Sequence, residues 1–470
     1  QRCAVSLGSH MNRKLTLVLA LSVWSAGCQA YAPFPLNDDA HQEEWASRTA
    51  GSERVKDFAA HLATLNPGRN VPFDLSDHLS LSEAESVALV FNPGLKTARL
   101  KAKVPLMGAK EAGRWDDPEL DIDLLRIMEN VKDPWIIGSS LSFTIPISGR
   151  LALEKDKAFA DADVELRRAM LAEWMLLGEL RAAWVRWSGT LQRVVLIEAY
   201  LQQLDQVVAL AQKQRDANRI GVPQLRVLQL ERVSRYGELE SLRVGEERQR
   251  VQIKALMGLH PNAPLQMEPT LSLEPLIAPV ARLAQLREHN LNLTVARAEY
   301  QVSEHALRLE IRKQFPDLVI GPGYENEEGV SRAGVVLSVP IPLLNQNRRA
   351  IAEARAARDA AKAAYEAEYE RLIVALSEAE LAVRGARTRS DYLEQKVAPM
   401  VDQQMQDLQR LANLGDLDVL VILDALTRTF ETKSQVLDAK VEEVVALTEL
   451  QALLRPLKTP QSQEIQDAKE

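Results

Sequence analysis

The residues that could do chemistry are few in this sequence, and they form no catalytic pattern. The histidines after Met11 are scattered without metal-ligand spacing, and no HExxH motif, phosphate-binding loop or C-x-x-C pair occurs. Nothing points to a nucleophile beside a base, so we expect no enzymatic activity, no cofactor and no metal. His289, beside Asn290, is interpreted as a helix-end residue rather than a ligand.

Residues 11–27 have the organisation of an export signal. A charged start precedes a largely apolar run from Leu15 to Trp24, which is followed by small residues. This pattern predicts a secretory signal peptide, and it is too short to span a bilayer as a helix. Residues 1–10 precede Met11, and we expect them to be upstream translation or a remnant of cloning.

Cys28 directly follows this signal and is the only cysteine after Met11, so it has no intramolecular disulfide partner. Small residues just before a cysteine resemble a bacterial lipobox. They predict a lipoprotein acylated at Cys28, with palmitate among the acyl groups, tethered to a membrane without spanning it. Ser25 departs from the lipobox, which usually carries leucine there. The alternative is ordinary cleavage nearby, as after Ala30, which leaves a spare thiol.

Composition favours long helices and argues against a nucleic-acid partner. Aromatic residues make up only 5% of the chain, while Ala, Leu, Glu, Arg and Gln dominate it. The net charge is −8, and no basic stretch stands out against it. No segment after the signal has eighteen consecutive apolar residues, so any membrane-spanning part must be built from strands.

Two stretches organise the chain, Ser139–Ala162 and Arg332–Ala361. Each begins with the period-two alternation of a strand, passes through a proline and continues into a long helical pattern. Each strand therefore presents an apolar face. The faces consist of Leu141, Phe143 and Ile145 in the first stretch and of Leu337, Val339 and Ile341 in the second.

The two stretches belong to an internal duplication. The phrase at Asn92 returns at Asn290, 198 residues later, and other landmarks return at nearly the same spacing. Each half reads as short helix, strand, loop, strand, long helix, turn and helix, so the repeat is not a short-period solenoid. Asn92 is expected to cap the helix that starts at Pro93, and Ser82 is expected to cap the helix before it.

Four segments of about ten residues are predicted as strands, the length that a tilted strand needs to cross a bilayer. In the first segment, Leu120, Ile122 and Leu124 would face lipid, while Asp121 and Asp123 would face a barrel lumen. A soluble sandwich would show the same alternation. Four strands cannot close around a pore, and lipid does not tolerate open edges, so several copies must share one barrel. The predicted strands are Pro118–Ile127, Trp135–Ile145, Pro316–Tyr324 and Arg332–Ile341.

Two segments of about 65 residues are predicted as long helices, each roughly 100 Å in length. Pro399 is expected to kink the second helix. Alanines at a 4-3-4-3 spacing near its start predict a coiled-coil seam, which a coiled-coil rod would also show. A helix returns after a glycine-containing turn in each half. The long helices are Arg150 to Ala217 and Arg349 to Asn413, and the return helices are Leu225–Leu256 and Leu420–Leu454.

Over about residues 79–456 the chain resembles the TolC family, the outer-membrane ducts of bacterial tripartite export systems. The resemblance rests on NPGLKTAR and NLNLTVAR, on the strand-to-helix phrases SFTIPISGR and SVPIPLLNQNRR, and on the two glycine turns. It implies a mainly α fold with a β-barrel part, in which two repeats per chain trimerise into a twelve-stranded outer-membrane barrel and a periplasmic α-helical barrel.

The resemblance also implies partners and domain boundaries. The partners are two other copies of the chain, a periplasmic adaptor, an inner-membrane transporter and outer-membrane lipid. Cys28 resembles the acylated branch that works with proton-driven pumps of the RND type. The first repeat covers 79–275 and the second 276–456, with an N-terminal arm over 28–78 and a disordered tail over 457–470.

Family members carry a glycine and a VLDA-like run at the second turn, where acidic residues narrow the periplasmic entrance. Gly415 and the VILDA run match this pattern, which implies a gate role for Asp424, although Val421 stands where a second acid is usual. Asp416 and Asp418 lie nearer the turn and are candidates to replace it. Three copies would form a negative ring that favours cations. Alternatively, these are helix-start acids that complement the helix dipole.

We therefore predict a duct subunit in the outer membrane of a Gram-negative bacterium, lipid-anchored and extending into the periplasm. It would conduct substrates passively and be gated at its periplasmic tip. The alternative is a periplasmic coiled-coil adaptor or another bridging protein. An adaptor, however, should carry a β-rich, lipoyl-like domain between its helices.

Overall fold

The computed structural model describes residues 31–65, 73–128, 131, 134–272, 279–327, 330–413 and 418–454. The chain divides into two compact units, Gln1–Ser47 and Arg48–Glu470. In the described part of the first unit, helix α1 (Asp38–Ser47) begins where Asn37 Oδ1 accepts a hydrogen bond from the Ala40 amide at 3.0 Å.

The second unit is mainly helical and contains one small sheet. Its elements follow the predicted order, twice over, after a short helix α2. A π-helical turn, Leu393–Val397, joins α9 to α10. The elements are α2 (Glu53–Leu65), α3 (Leu81–Phe91), α4 (Pro93–Glu111), β1 (Glu119–Arg126), β2 (Trp135–Ile145), α5 (Arg150–Asp216), α6 (Val222–Leu256), α7 (Pro279–His289), α8 (Leu291–Arg312), β3 (Leu318–Glu327), β4 (Val330–Ser338), α9 (Arg348–Tyr392), α10 (Ala398–Asn413) and α11 (Val419–Leu454).

The four strands form one antiparallel sheet in the order β1-β2-β3-β4. Leu120 is paired with Leu141, and Ile320 lies between Phe143 and Leu337. The apolar faces predicted separately for the two halves therefore form one continuous face. β4 ends at Ser338 rather than at the predicted Ile341, because the two prolines that follow have no amide hydrogen for the ladder.

Two asparagines show the duplication in atomic detail. The side-chain oxygens of Asn92 and Asn290 accept the amide three residues further on, at 3.0 and 3.1 Å, and so cap α4 and α8. Their side-chain amides donate to Leu256 O at 2.8 Å and to Leu453 O at 3.1 Å, at the ends of α6 and α11. Each asparagine thus joins the second helix of a repeat to the last helix of the same repeat.

The cap of α3 is Ser80, so the prediction of Ser82 was wrong. The Ser80 hydroxyl accepts the Glu83 amide, and the Glu83 carboxylate accepts the Ser80 amide at 2.8 Å, which completes a capping box. Both serines have a glutamate three residues further on. The second of these, Glu85, instead pairs with Arg181 of α5 in the core. Glu85 is therefore not available for a capping box with Ser82.

The first long helix, α5, has 67 residues and packs against α4, α6, α8 and α11. Trp184 lies fully buried in one apolar cluster and Leu204 in a second. Among the described helices, α5 alone contains a window that is apolar and long enough to cross a membrane, and 33% of that window is buried. Its packing is that of a helix in the core of a helical bundle.

The second long helix is interrupted close to the predicted proline. α9 ends at Tyr392, the π-turn follows, and α10 begins at Ala398, next to Pro399. A proline lacks the amide hydrogen, and its ring crowds the carbonyl four residues earlier. The wider π-turn accommodates that carbonyl, so the helix resumes on the other side of the turn.

Candidate functional site: a two-faced sheet and the helix turns

One face of the sheet is apolar and open to its surroundings. Ile122 is 69% exposed, Leu337 64% and Val335 71%. Soluble proteins rarely leave a contiguous apolar surface of this kind uncovered, because burying it is a main driving force for folding and association. The face is therefore built to contact lipid or another protein.

The opposite face is mixed and carries most of the charged side chains of the sheet along with a few apolar ones. Asp121 accepts a hydrogen bond from Ser140 at 3.3 Å, and Asp123 lies opposite Gly138 in the register. Further along the same face, Arg332 pairs with Glu327 at 2.9 Å. Asp121 and Asp123 thus lie on the face away from Leu120, as the alternation predicted.

Within the described part of the chain, both outer strands of the sheet carry a free edge. β1 pairs with β2 and β4 pairs with β3, and β1 and β4 run antiparallel to each other. An open edge exposes a row of amides and carbonyls that can join another strand. The β4 edge of one copy can therefore continue the antiparallel order with the β1 edge of a second copy.

Arg150 ties the sheet to the helices at the start of α5. Its guanidinium donates to Asp317 at 2.7 Å, to Asp116 at 2.6 Å and to Glu154 at 3.0 Å. Burial by itself would lower the pKa of Arg150, but the hydrogen bonds to Asp317 and Glu154 outweigh it and raise that pKa. Gly149, just before it, has φ +73°, the left-handed conformation that turns the chain into α5.

The predicted gate acids near the second turn have different surroundings. Asp424 is exposed on α11 and pairs with Arg428 one turn later, with 2.9 Å between Oδ2 and Nε. Asp418 is exposed just before α11, and its carboxylate accepts the Leu420 amide at 3.0 Å. Asp416 and Gly415 lie outside the described residues, as does Cys28. The structure thus places two of the predicted acids at the start of α11.

A contact near this turn was missed from the sequence. Tyr200 of α5 bonds Thr427 of α11 at 3.1 Å between hydroxyl oxygens, and its ring lies 4.9 Å from that of Phe430. Arg235 of α6 stacks over Phe430 at 5.0 Å. Burial raises the pKa of Tyr200, which remains a neutral phenol. This contact holds the segment of α11 that carries Asp424, and only its separate aromatic residues were visible in the sequence.

Comparison with known proteins gives a clear result at the level of structure. No family model matches the chain, and no curated protein matches it in sequence. Among solved structures, the outer membrane protein VceC from Vibrio cholerae aligns with a TM-score of 0.67 and 15% identity, over 80% of this chain and 97% of VceC. The CmeC outer membrane channel of Campylobacter jejuni aligns with a TM-score of 0.67 and 11% identity, over 94% of this chain and 97% of CmeC.

The MtrE outer membrane channel of Neisseria gonorrhoeae, solved in its open state, aligns with a TM-score of 0.64 and 15% identity, over 81% of this chain and 90% of MtrE. The chain thus has the fold of an outer-membrane channel subunit. More particularly, it has the fold of the TolC family, to which these channels belong. The channels are not enzymes, in agreement with a sequence that carries no catalytic pattern.

Proposed function

We propose that the chain is a subunit of an outer-membrane duct and that three copies form the channel. The observation that carries the proposal is the four-stranded sheet, whose apolar face is exposed and whose two edges are free. Helices of 67 and 45 residues follow its second and fourth strands after short linkers. A membrane supplies the apolar surroundings for that face, and neighbouring copies supply strands for both edges.

Three copies of a four-stranded sheet make a barrel of twelve antiparallel strands. Leu120, Ile122 and Leu124 then face lipid, and Asp121 and Asp123 face the lumen. Closure removes every free edge, which is the condition for a sheet to exist in the hydrocarbon region. An even number of strands is also the rule for bacterial barrels.

The helices offer a matching interface. α5 packs between α6 and α11, and α11 packs against α9 and, nearer the turn, against α10, so α6 and α9 are outer helices of the subunit. Both carry exposed apolar residues at helical spacing, namely Leu230, Val233 and Val244 on α6 and Val374 and Leu381 on α9. The α6 side of one copy against the α9 side of the next would cover these residues and continue the ring as a helical barrel.

We propose the finer roles from the resemblance to the TolC family. Substrates pass through the duct without chemistry, and a periplasmic adaptor with an inner-membrane transporter, of the RND type, delivers them. Cys28 carries the lipid anchor in the outer membrane. Asp424, together with Asp418 and Asp416, lines the entrance at the turn that precedes α11, where three copies would create a negative ring.

The alternative is a periplasmic adaptor, a coiled-coil protein that bridges two membranes. In a lipoyl-like domain the strands would enclose a core of their own. Here the apolar side chains of β1 and β4 are exposed, with Leu124 at 62% and Val336, on the other face, at 46%. The sheet therefore favours the duct over the adaptor.

Membrane fractionation tests the proposal. The full chain, expressed in a Gram-negative host, should stay in the outer membrane after alkaline carbonate extraction, and its detergent-solubilised form should have the mass of three chains. Replacing Ile122 and Val335 together with glutamate should release the protein, because charges on the lipid face are destabilising in the hydrocarbon region, by about 2–4 kcal/mol for arginine or lysine at the midplane and by less for glutamate. Glutamate at Ser140 and Ser338, on the other face, is the matched control. A wild-type chain recovered as a soluble monomer would contradict the proposal.

A further inference from the structure

The linker that joins β4 to α9 carries a surface that the duct function does not require. We propose that this linker, residues 339–347, together with the first two residues of α9, binds the headgroup and glycerol region of anionic phospholipids in the periplasm-facing leaflet of the membrane. The inference rests on the proposed function, because that function places the apolar face of the sheet in lipid.

The first part of the linker is apolar and exposed. Ile341 is 75% exposed, Leu343 74% and Leu344 95%. Ile341 and Leu343 follow β4 directly in the chain, and the Leu343 amide donates to Ile341 O at 2.9 Å across a tight turn. The prolines at 340 and 342 end the ladder, so this apolar segment lies past the hydrogen-bonded sheet, between the lipid-facing strand and α9.

The start of α9 is basic. Arg348 and Arg349 are its first two residues and follow within five residues of Leu344. The Arg349 side chain is 89% exposed, with Glu353 one turn later at 2.9 Å. The Arg348 guanidinium donates to the neutral side-chain amide of Gln346 at 2.9 and 3.2 Å. The start of α9 therefore presents two guanidinium groups beside one exposed carboxylate, and guanidinium binds phosphate oxygens in a bidentate manner.

The corresponding linker of the first repeat is different. There Ile147 is the exposed apolar side chain, at 64%, and the chain turns directly into α5. Its arginine, Arg150, points inward and donates to three carboxylates. A strand-to-helix connection in this fold thus works without exposed leucines and exposed arginines. The additional groups of the second linker need another partner.

An anionic phospholipid fits both parts of this surface. The apolar segment directly follows the strand that carries the lipid-facing Leu337, so the acyl and glycerol region at the membrane boundary would surround it. The guanidinium groups follow at the next level, where lipid phosphates lie. Basic residues next to a membrane attract anionic lipid with about a fivefold gain in affinity each, and apolar neighbours add to that binding.

Native mass spectrometry of the full chain in detergent tests the proposal, with dioleoyl phosphatidylglycerol titrated against dioleoyl phosphatidylcholine. The Arg348→Gln, Arg349→Gln double variant should weaken phosphatidylglycerol binding about 25-fold, roughly fivefold for each arginine, and leave phosphatidylcholine binding unchanged. The Leu343→Ser, Leu344→Ser variant should weaken binding of both lipids. The matched controls are Arg371→Gln, which removes an exposed α9 arginine paired with Glu368, and Ile147→Ser in the first linker. Both should bind lipid like the wild type.

Three results would overturn the proposal. The arginine variant could bind phosphatidylglycerol as tightly as the wild type, or the wild type could fail to distinguish the two lipids. The leucine variant could also dissociate the trimer whatever lipid is present, which would make the linker a contact between copies. Failure of the proposed function is distinguishable, because the wild-type chain would then not remain in carbonate-washed membranes at all.

Discussion

Asp424 and Arg428 form an exposed ion pair on α11, with 2.9 Å between carboxylate and guanidinium. If Asp424 lines the entrance, Arg428 lowers the negative potential there. The family resemblance pointed to Asp424, but it gave no sign of this counter-charge. The pair became visible only with the helix, which places residues four apart on one side.

We predict that Arg428→Gln makes the channel more sensitive to block by divalent cations. The blocking concentration should fall about two- to fivefold, because an exposed ion pair contributes up to about 1 kcal/mol. Asp424→Asn should raise it, and the double variant should resemble Asp424→Asn. Single-channel recording measures the block. Equal block in all three variants would remove Asp424 from the entrance.

Glu173 of α5 is buried beside Arg99, with 2.7 Å between Nε and Oε1. Burial raises the pKa of Glu173 above its ordinary value of 4.5, and Arg99 only partly opposes it. In the folded state the carboxylate form is therefore disfavoured relative to the unfolded chain. The contribution of Glu173 to the free energy of unfolding should decrease as the pH rises from the unfolded pKa through the folded pKa, and it should then stay constant.

Glu173→Gln removes this titration. The difference in free energy of unfolding between wild type and variant should therefore shift in favour of the variant between pH 4 and pH 7, as measured by chemical denaturation at a series of pH values. A difference in free energy of unfolding that does not depend on pH would show that Arg99 fully compensates for the burial of the carboxylate.

Helices and strands were largely predictable, because they depend on periodicity and on local turn residues. The strands, the long helices and the caps at Asn92 and Asn290 follow from the pattern of the sequence. The cap at Ser80 and the π-turn before Pro399 could not be predicted from the sequence pattern, because they depend on tertiary contacts and on the geometry of a long helix. The donation from Asn92 to Leu256 joins residues 164 positions apart, and no local pattern encodes that distance.

The two asparagines allow a test of the duplicated architecture. Asn92→Ala and Asn290→Ala should each lower the free energy of unfolding by about 2 kcal/mol, of which about 1 comes from the cap and about 1 from the hydrogen bond to the return helix. Denaturant titration measures the loss. Asn37→Ala is the control, because it removes the same type of cap from α1, which has no buried residue. A loss no larger than that of the control would contradict the role of these residues as joints within each repeat.

At the scale of the whole molecule, the proposed duct explains several features together. The exposed apolar face and the free edges of the described sheet would be covered by lipid and by neighbouring strands, and the apolar flanks on α6 and α9 would be covered by neighbouring copies. The duplication and the resemblance predicted this fold from the sequence. The sequence did not show which strand edges and helix flanks stay uncovered, because their exposure depends on how α5, α6, α9 and α11 pack together.

Recording from planar lipid bilayers tests the duct most directly. The purified full chain, added as a detergent-solubilised trimer, should insert and give discrete, long-lived conductance steps that favour cations. The variant with glutamate at Ile122 and Val335 should give none. A correctly folded wild-type chain that never produces a conductance step would contradict the account.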